Sequence, residues 1–292
     1  MTAAARDNLA VRDLGRLGYA AALAVQHETH AAVLAGDAPG TLLLVEHDPV
    51  ITVSQRKGAG AHLLADSPTL ARLGIEVQPT DRGGDITYHG PGQLVAYPIL
   101  RLADHGLNLG RYMRLLEEVV IATVATWGVR AMRVDGCTGV WVGAEGGCRV
   151  SGVGCREEDD ATARTLASSP HTPHPIPDTP ATPAKLCALG VRVRKNVTLH
   201  GLALNVTTDM AHFATIVPCG LVGRGVTSLH QLLGNACPDM PAVKAALVDA
   251  FRHRLYHLRT ELTKDPHHAH TAHPHDHRRL IPRPRLARRA AQ

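Results

Sequence analysis

Four short stretches carry residues whose types suit chemistry better than packing. Cys219 lies in Thr215-Ile216-Val217-Pro218-Cys219-Gly220-Leu221. The β-branched apolar run reads as a strand, a proline breaks it, and a glycine follows the thiol at once. A packing cysteine belongs inside such a run rather than after it. Taken alone, a single cysteine is still more often structural than catalytic. A thiol acts as a nucleophile only as thiolate, and with a pKa of about 8.5 a free thiol is only slightly ionised at neutral pH. It therefore needs a cation or a base beside it.

Lysine is the scarce residue here. Of 31 basic residues, only Lys57, Lys185, Lys195, Lys244 and Lys264 are lysines. Lysine loses its proton near neutral pH when desolvated and arginine does not, so a lysine in an apolar setting carries information. Lys185 opens the strand-like KLCALGVRV. A lysine there ordinarily snorkels into water. The third stretch is Arg82 to Leu100, RGGDITYHGPGQLVAYPIL, where Gly83, Gly84, Gly90 and Gly92 alternate with Arg, Tyr, His and Gln. Such glycines permit close backbone approach, leave N–H groups for a ligand's carbonyl or anion, and let polar groups converge on one crevice. A ligand-free hairpin loop has the same composition. In the fourth stretch, TLHGLALNV, His200 and Asn205 sit in an apolar strand beside Gly201. A lone strand histidine is more often a satisfied structural residue.

The order RGG-x4-HGPGQ, K-x4-GVR, HG-x-ALN and VPCG resembles that of the lipoyl(octanoyl) transferases, the octanoyl-ACP:protein N-octanoyltransferases. The resemblance covers most of Thr41 to Leu233. It implies a biotin/lipoate protein ligase-like α/β (α+β) domain with a mixed, largely antiparallel sheet flanked by helices. It also implies an acyl-enzyme mechanism, with Cys219 as nucleophile and Lys185 as its partner. Arg82, Gly83, Gly84, Asp85, Ile86, Thr87, Tyr88 and His89, with Ala188, Leu189, Gly190, Gly201, Leu202 and Ala203, would line the substrate site. The donor it implies is acyl carrier protein, with the octanoyl group on its phosphopantetheine. The acceptors are lipoyl domains of 2-oxoacid dehydrogenase complexes and the glycine cleavage H protein. Because thioester energy survives transfer to a thiol, neither ATP nor a metal is required. An oxyanion would rest on N–H groups near Gly220 or Gly190.

These residues must be positioned by elements that the periodicity outlines. Helices are expected over Leu17–Leu34, Pro68–Leu73, Leu109–Trp127 with Asn108 as cap, Thr227–Leu233 and Pro241–Leu258. Strands are expected over Thr41–Glu46, Val50–Ser54, Ile75–Gln78, Ile86–Tyr88, Leu94–Leu100, Val129–Val134 and Gly139–Val142. Leu186–Val193 and Val197–Asn205 read as a hairpin turning at Lys195-Asn196. Tight strand connections favour an antiparallel or mixed sheet with helices beside it. One catalytic domain over 8–260 is expected. Gly143 to Pro183, rich in Gly, Pro, Ser, Thr and Asp, reads as an inserted surface loop or disordered segment just upstream of Lys185. From 261 to 292 the chain reads as a disordered His- and Arg-rich tail.

Composition narrows the class. With 292 residues, 45% hydrophobic, the chain can bury a substantial core. Only 3% are aromatic, so a pocket must be lined by aliphatic side chains, and stacking platforms for single-stranded nucleic acid are scarce. The net charge of +5 is concentrated after Arg278. None of the six cysteines forms a C-x2-C pair, no signal peptide is evident and no run spans a bilayer. A monomeric cytoplasmic protein with reduced thiols, binding no membrane, is expected. Two other readings compete. One is an ATP-dependent lipoate or biotin ligase of the same fold, which needs no thiol. The other is a metal-binding protein built on the histidines between His267 and His277.

Overall fold

The computed structural model describes residues 9–143, 182–218 and 225–264. In chain order its elements are β1 (Leu9–Leu17), α1 (Tyr19–Ala35), β2 (Gly40–His47), β3 (Val50–Ser54), α2 (Ser67–Leu73), β4 (Glu76–Thr80) and β5 (Ile86–His89). Then come β6 (Gln93–Ile99), α3 (Leu109–Ala125), β7 (Met132–Val134), β8 (Cys137–Val142), β9 (Ala184–Arg194), β10 (Val197–Asn205), α4 (Leu229–Leu233) and α5 (Met240–Lys264).

Seven strands form one sheet in the order β1-β2-β6-β10-β9-β8-β7, and three form a small sheet, β4-β3-β5. The large sheet is antiparallel except where β1 runs parallel to β2. Period-two alternation splits its side chains between two cores. Leu42, Leu44, Leu94, Ala96 and Leu204 go to one face, where Leu116, Val120, Leu247 and Phe251 of α3 and α5 cover them. Leu43, Val45, Val95, Tyr97 and Ala203 go to the other, under Ala22 and Val33 of α1. A third core joins the small sheet to α2 through Ile51, Ile86, Tyr88 and Leu70.

Local chemistry explains several boundaries. The Asn108 side chain accepts from Arg111 N at 2.9 Å and starts α3. Lys195 and Asn196 both take positive φ, 50° and 64°, which gives the β9–β10 hairpin a turn whose twist matches its strands. Val142 pairs with Ala184, so the two ends of the 143–183 segment are ladder neighbours in the β8–β9 pair. Residues 144–181 themselves lie outside the described residues.

Five points of the sequence reading need correction. β1 was not foreseen, because LAVRDLGRL has no clean period and owes its strand to backbone pairing with β2. Thr215–Val217 is not a strand. Met210–Thr215 winds as a 3₁₀ helix, and Ile216 makes a single bridge to Leu63. The expected strand at Val129 begins only at Met132, and the expected helix at Thr227 begins at Leu229, capped by Ser228. Finally, α5 continues past Leu258 to Lys264. Among the described residues, no helix is long and apolar enough to cross a membrane.

Candidate active site

A groove lies between β5, with the Arg82–Gly84 turn before it, and the α1 side of the large sheet. Including its solvent-open mouth it encloses about 480 Å³. Of the residues expected there, Arg82, Gly84, Asp85, Thr87, His89, Ala188, Leu189, Gly190, Gly201, Leu202 and Ala203 line it. Ile86 and Tyr88 do not. Strand alternation sends them to the third core, while Thr87 and His89 turn to the groove. Gly83 does not line it either, since its N–H is donated to Val191 O at 2.9 Å. The glycine loops are thus not free ligand cradles: Gly92 N likewise goes to Glu46 Oε2 at 3.0 Å.

Two glycines build the sheet wall by close approach. Gly190 and Gly201 are register partners on β9 and β10. A Cβ on Gly190 would stand 2.8 Å from Gly83 O, and one on Gly201 would stand 2.1 Å from Ala96 O. The missing side chain at Gly190 lets the Arg82–Gly83 turn lie on the sheet, and the one at Gly201 lets β6 approach β10. Arg82 is held there by Thr52, donating to its carbonyl at 3.1 Å and its Oγ1 at 2.9 Å. Asp85 is buried, accepting from His62 Nδ1 and Ile86 N, each at 2.8 Å.

Two buried histidines, His89 and His200, line the groove, and a third, His47, packs against His89 and Tyr97. His47 donates Nδ1–H to Leu17 O at 2.9 Å and accepts from Tyr97 OH at 2.7 Å. Burial pushes its pKa down to about 4. His89 faces Gln93 at 2.7 Å, and burial, aided by His47 and Arg82, holds its pKa well below the ordinary value. His200 meets Asp81 at 2.7 Å, and burial outweighs that carboxylate to keep the imidazole neutral. Burial works against ionised Asp81, but the bond from His200 and the Arg192 ion pair outweigh it and lower its pKa.

Lys185 does not line the groove. It sits three residues before Ala188 on the same strand, about 10 Å along it. It does not snorkel. The residue is only 6% exposed, and its Nζ lies 4.7 Å from the centre of the Trp141 ring. Its backbone N donates to Gly225 O at 2.9 Å, and its carbonyl accepts from Thr227 N at 3.0 Å. Cys219 and Gly220 lie outside the described residues. The chain before them is fixed by Val217 N to His62 O at 2.8 Å. His62 in turn bonds the groove residue Asp85, while Gly225, the next described residue, pairs with Lys185. In two of the described cysteines, Cys187 and Cys237, burial raises the thiol pKa and so disfavours the thiolate.

The profile of the lipoyl protein ligase A/B catalytic domain matches residues 18–252. The chain belongs to that family. Its octanoyltransferase relatives are close: it is 42% identical over 241 residues to the octanoyltransferase of Chloroflexus aggregans, covering 82% of this chain and 91% of that protein. With the octanoyltransferase of Geobacter metallireducens it shares 41% over 228 residues, 78% of this chain and 85% of that one. This member of the family is thus an acyltransferase of the octanoyltransferase type. In fold it resembles a bi-partite lipoate protein ligase solved with its E2 lipoyl domain from Thermoplasma acidophilum, with TM-score 0.57, 14% identity, and 88% and 92% of the two chains covered. It also resembles a lipoate-protein ligase A bound with ATP, with TM-score 0.54, 15% identity, and 88% and 94% covered.

Sequence reasoning missed four groove residues of this lipoyl ligase-family domain. Tyr19, Val95, Tyr97 and His200 also line it. Tyr19 enters from the first turn of α1, stacks on His89 with ring centres 6.5 Å apart, and donates to Thr80 Oγ1 at 2.8 Å. No motif marks it. His200 was visible in HG-x-ALN, and its positive φ of 59° is the structural sign that it is not an ordinary strand residue. Among the described residues no group of three or more His, Cys, Asp or Glu could hold a metal ion, and the His267–His277 tract lies outside them.

Proposed function

We propose that this acyltransferase moves an octanoyl group from acyl carrier protein to a lysine of lipoyl domains through a thioester on Cys219. In the first half-reaction the Cys219 thiolate attacks the donor thioester carbonyl, a C–S bond forms, and the phosphopantetheine sulfur leaves and takes up a proton. In the second, the lysine amine attacks the Cys219 thioester, the C–N bond forms and the cysteine sulfur leaves. One thioester replaces another in the first half, so no ATP or metal is needed. Lys185 is the partner that removes the thiol proton and receives the amine proton.

The observation that carries this reading is the tether between Lys185 and the Cys219 segment. Gly225 and Val226, directly after residues 219–224, pair with the backbone of a lysine that is buried in spite of its charge. The raised pKa values of Cys187 and Cys237 support the assignment to Cys219. The lipoyl-domain acceptor is supported by the family and by the E2 lipoyl domain that accompanies the Thermoplasma ligase. Aliphatic groove walls at Val95, Ala188, Leu189, Leu202 and Ala203 suit a saturated acyl chain.

Intact mass spectrometry after incubation with octanoyl-ACP, without ATP, tests it. A single octanoyl adduct that maps to Cys219 and disappears in Cys219→Ser is the expected result. An adduct on Cys187 or Cys237 refutes the assignment, and a strict requirement for ATP points instead to a ligase.

A further inference from the structure

A chain of hydrogen bonds fixes which nitrogen of His89 carries the ring proton. Thr227 O is a carbonyl and only accepts, so Asn205 presents Nδ2 to it at 3.0 Å. Asn205 Oδ1 is thereby turned to Gln93, whose Nε2 donates to it at 2.9 Å and to Tyr88 O at 3.2 Å. Gln93 then has only its Oε1 to offer His89, 2.7 Å from Nδ1. The proton sits on Nδ1, and Nε2 keeps a lone pair. The polarity is anchored on a backbone carbonyl at each branch, and one of these, Thr227, is bonded through its own N–H to Lys185 O. His89 lines the groove, and among the described residues no group donates to its Nε2.

A pure acceptor facing a substrate groove selects a partner with an N–H or O–H. A thioester offers none at its reacting atoms, whereas a lysine amine does. We propose that His89 Nε2 is a catalytic contact that receives an N–H of the acceptor lysine and aims its lone pair at the acyl carbon, with Gln93 and Asn205 as positioning residues. This rests on the acyl-enzyme reading above. As the C–N bond forms and the C–S bond to the enzyme breaks, the sulfur leaves with the bonding pair, and the amine's surplus proton passes to Lys185, which returns it to the sulfur. Because burial keeps the imidazole neutral, His89 orients the amine rather than carrying its charge away.

His89→Asn retains an amide nitrogen to donate to Gln93 but removes the acceptor at the Nε2 position. His89→Gln places an amide oxygen near it. Single-turnover assays separate the halves. Acyl-enzyme formation on octanoyl-ACP is expected to slow far less than transfer does in both variants. Transfer from the isolated acyl-enzyme to an apo lipoyl domain is expected to slow by roughly 100-fold in His89→Asn, and less in His89→Gln. Equal slowing of both halves, a raised KM for octanoyl-ACP alone, or unchanged transfer would overturn the proposal. Nitrogen-15 NMR of the wild-type imidazole gives a readout independent of turnover: a protonated Nδ1 and bare Nε2 are expected, and the opposite tautomer sinks the idea. If wild-type protein forms no acyl adduct at all, the thioester reading fails instead, and the tautomer measurement still judges the hydrogen-bond chain.

Discussion

At the residue scale, burial decides what each polar group can do. Lys185 is enclosed against the Trp141 ring rather than solvated at a strand end, so a replacement must fit its space as well as keep its charge. Replacing it by Arg is therefore expected to cost nearly as much as replacing it by Ala, about 100-fold or more in transfer. Arginine keeps the charge, but its fork is larger and it is no base. The check is steady-state turnover together with the pH dependence of Cys219 alkylation, which should move towards a free thiol in the alanine variant. A substantial rate in Lys185→Arg would show that the lysine serves as a fixed charge. Gly201→Ala tests the wall of the groove. Its methyl would stand 2.1 Å from Ala96 O, a backbone atom that cannot swing aside. A loss of about 2–3 kcal/mol in urea unfolding is expected, and a change below about 0.5 kcal/mol would show that the strands separate readily.

At the element scale, β9 is the organising strand. One strand carries Lys185, the groove wall at Ala188–Gly190 and Arg192, which holds Asp81. Its antiparallel neighbours fix it from both sides, so spacing along β9 sets the distance from lysine to groove. The long segment between β8 and β9 starts and ends at ladder neighbours, Val142 and Ala184. Closing a loop costs little more when it is long, so its removal should cost little. Deleting Ala161–Thr182 is expected to leave unfolding unchanged within about 1 kcal/mol and transfer activity within a few-fold. Insoluble protein after the deletion would assign the segment a structural role.

For the whole molecule, neutral buried histidines set the response to acid. His47 binds a proton near pH 6.5 in the unfolded chain and only near 4 when folded. The unfolded state therefore binds more protons between these values, and stability falls as pH drops through that window. His47 alone is worth about 3 kcal/mol from pH 7 to 4, and depressed His89 and His200 act in the same direction. Urea unfolding at pH 7, 5.5 and 4.5 should show this decline, with a shallower slope in His47→Asn. Stability that is flat over this range would mean that water reaches His47.

How much of this was legible in the sequence can be argued from particular residues. α3 announced itself through its 3.6-residue period and its Asn108 cap, and the β9–β10 turn through Lys195-Asn196, because these signals are local. The motif order located eleven groove residues, since a close backbone approach requires glycine at fixed spacing whatever surrounds it. Sequence could not separate Thr87 and His89 from Ile86 and Tyr88. Alternation says that they point opposite ways, but only the packing of the small sheet against α2 says which way is in. Tyr19, His47 and Tyr97 come from α1, β2 and β6, and meet at the groove only because the strand order β2-β6-β10 brings them together. The His89 tautomer likewise belongs to the tertiary structure. It is settled by Asn205 and Thr227, more than a hundred residues away along the chain, because a hydrogen bond has a direction that only both of its partners can fix.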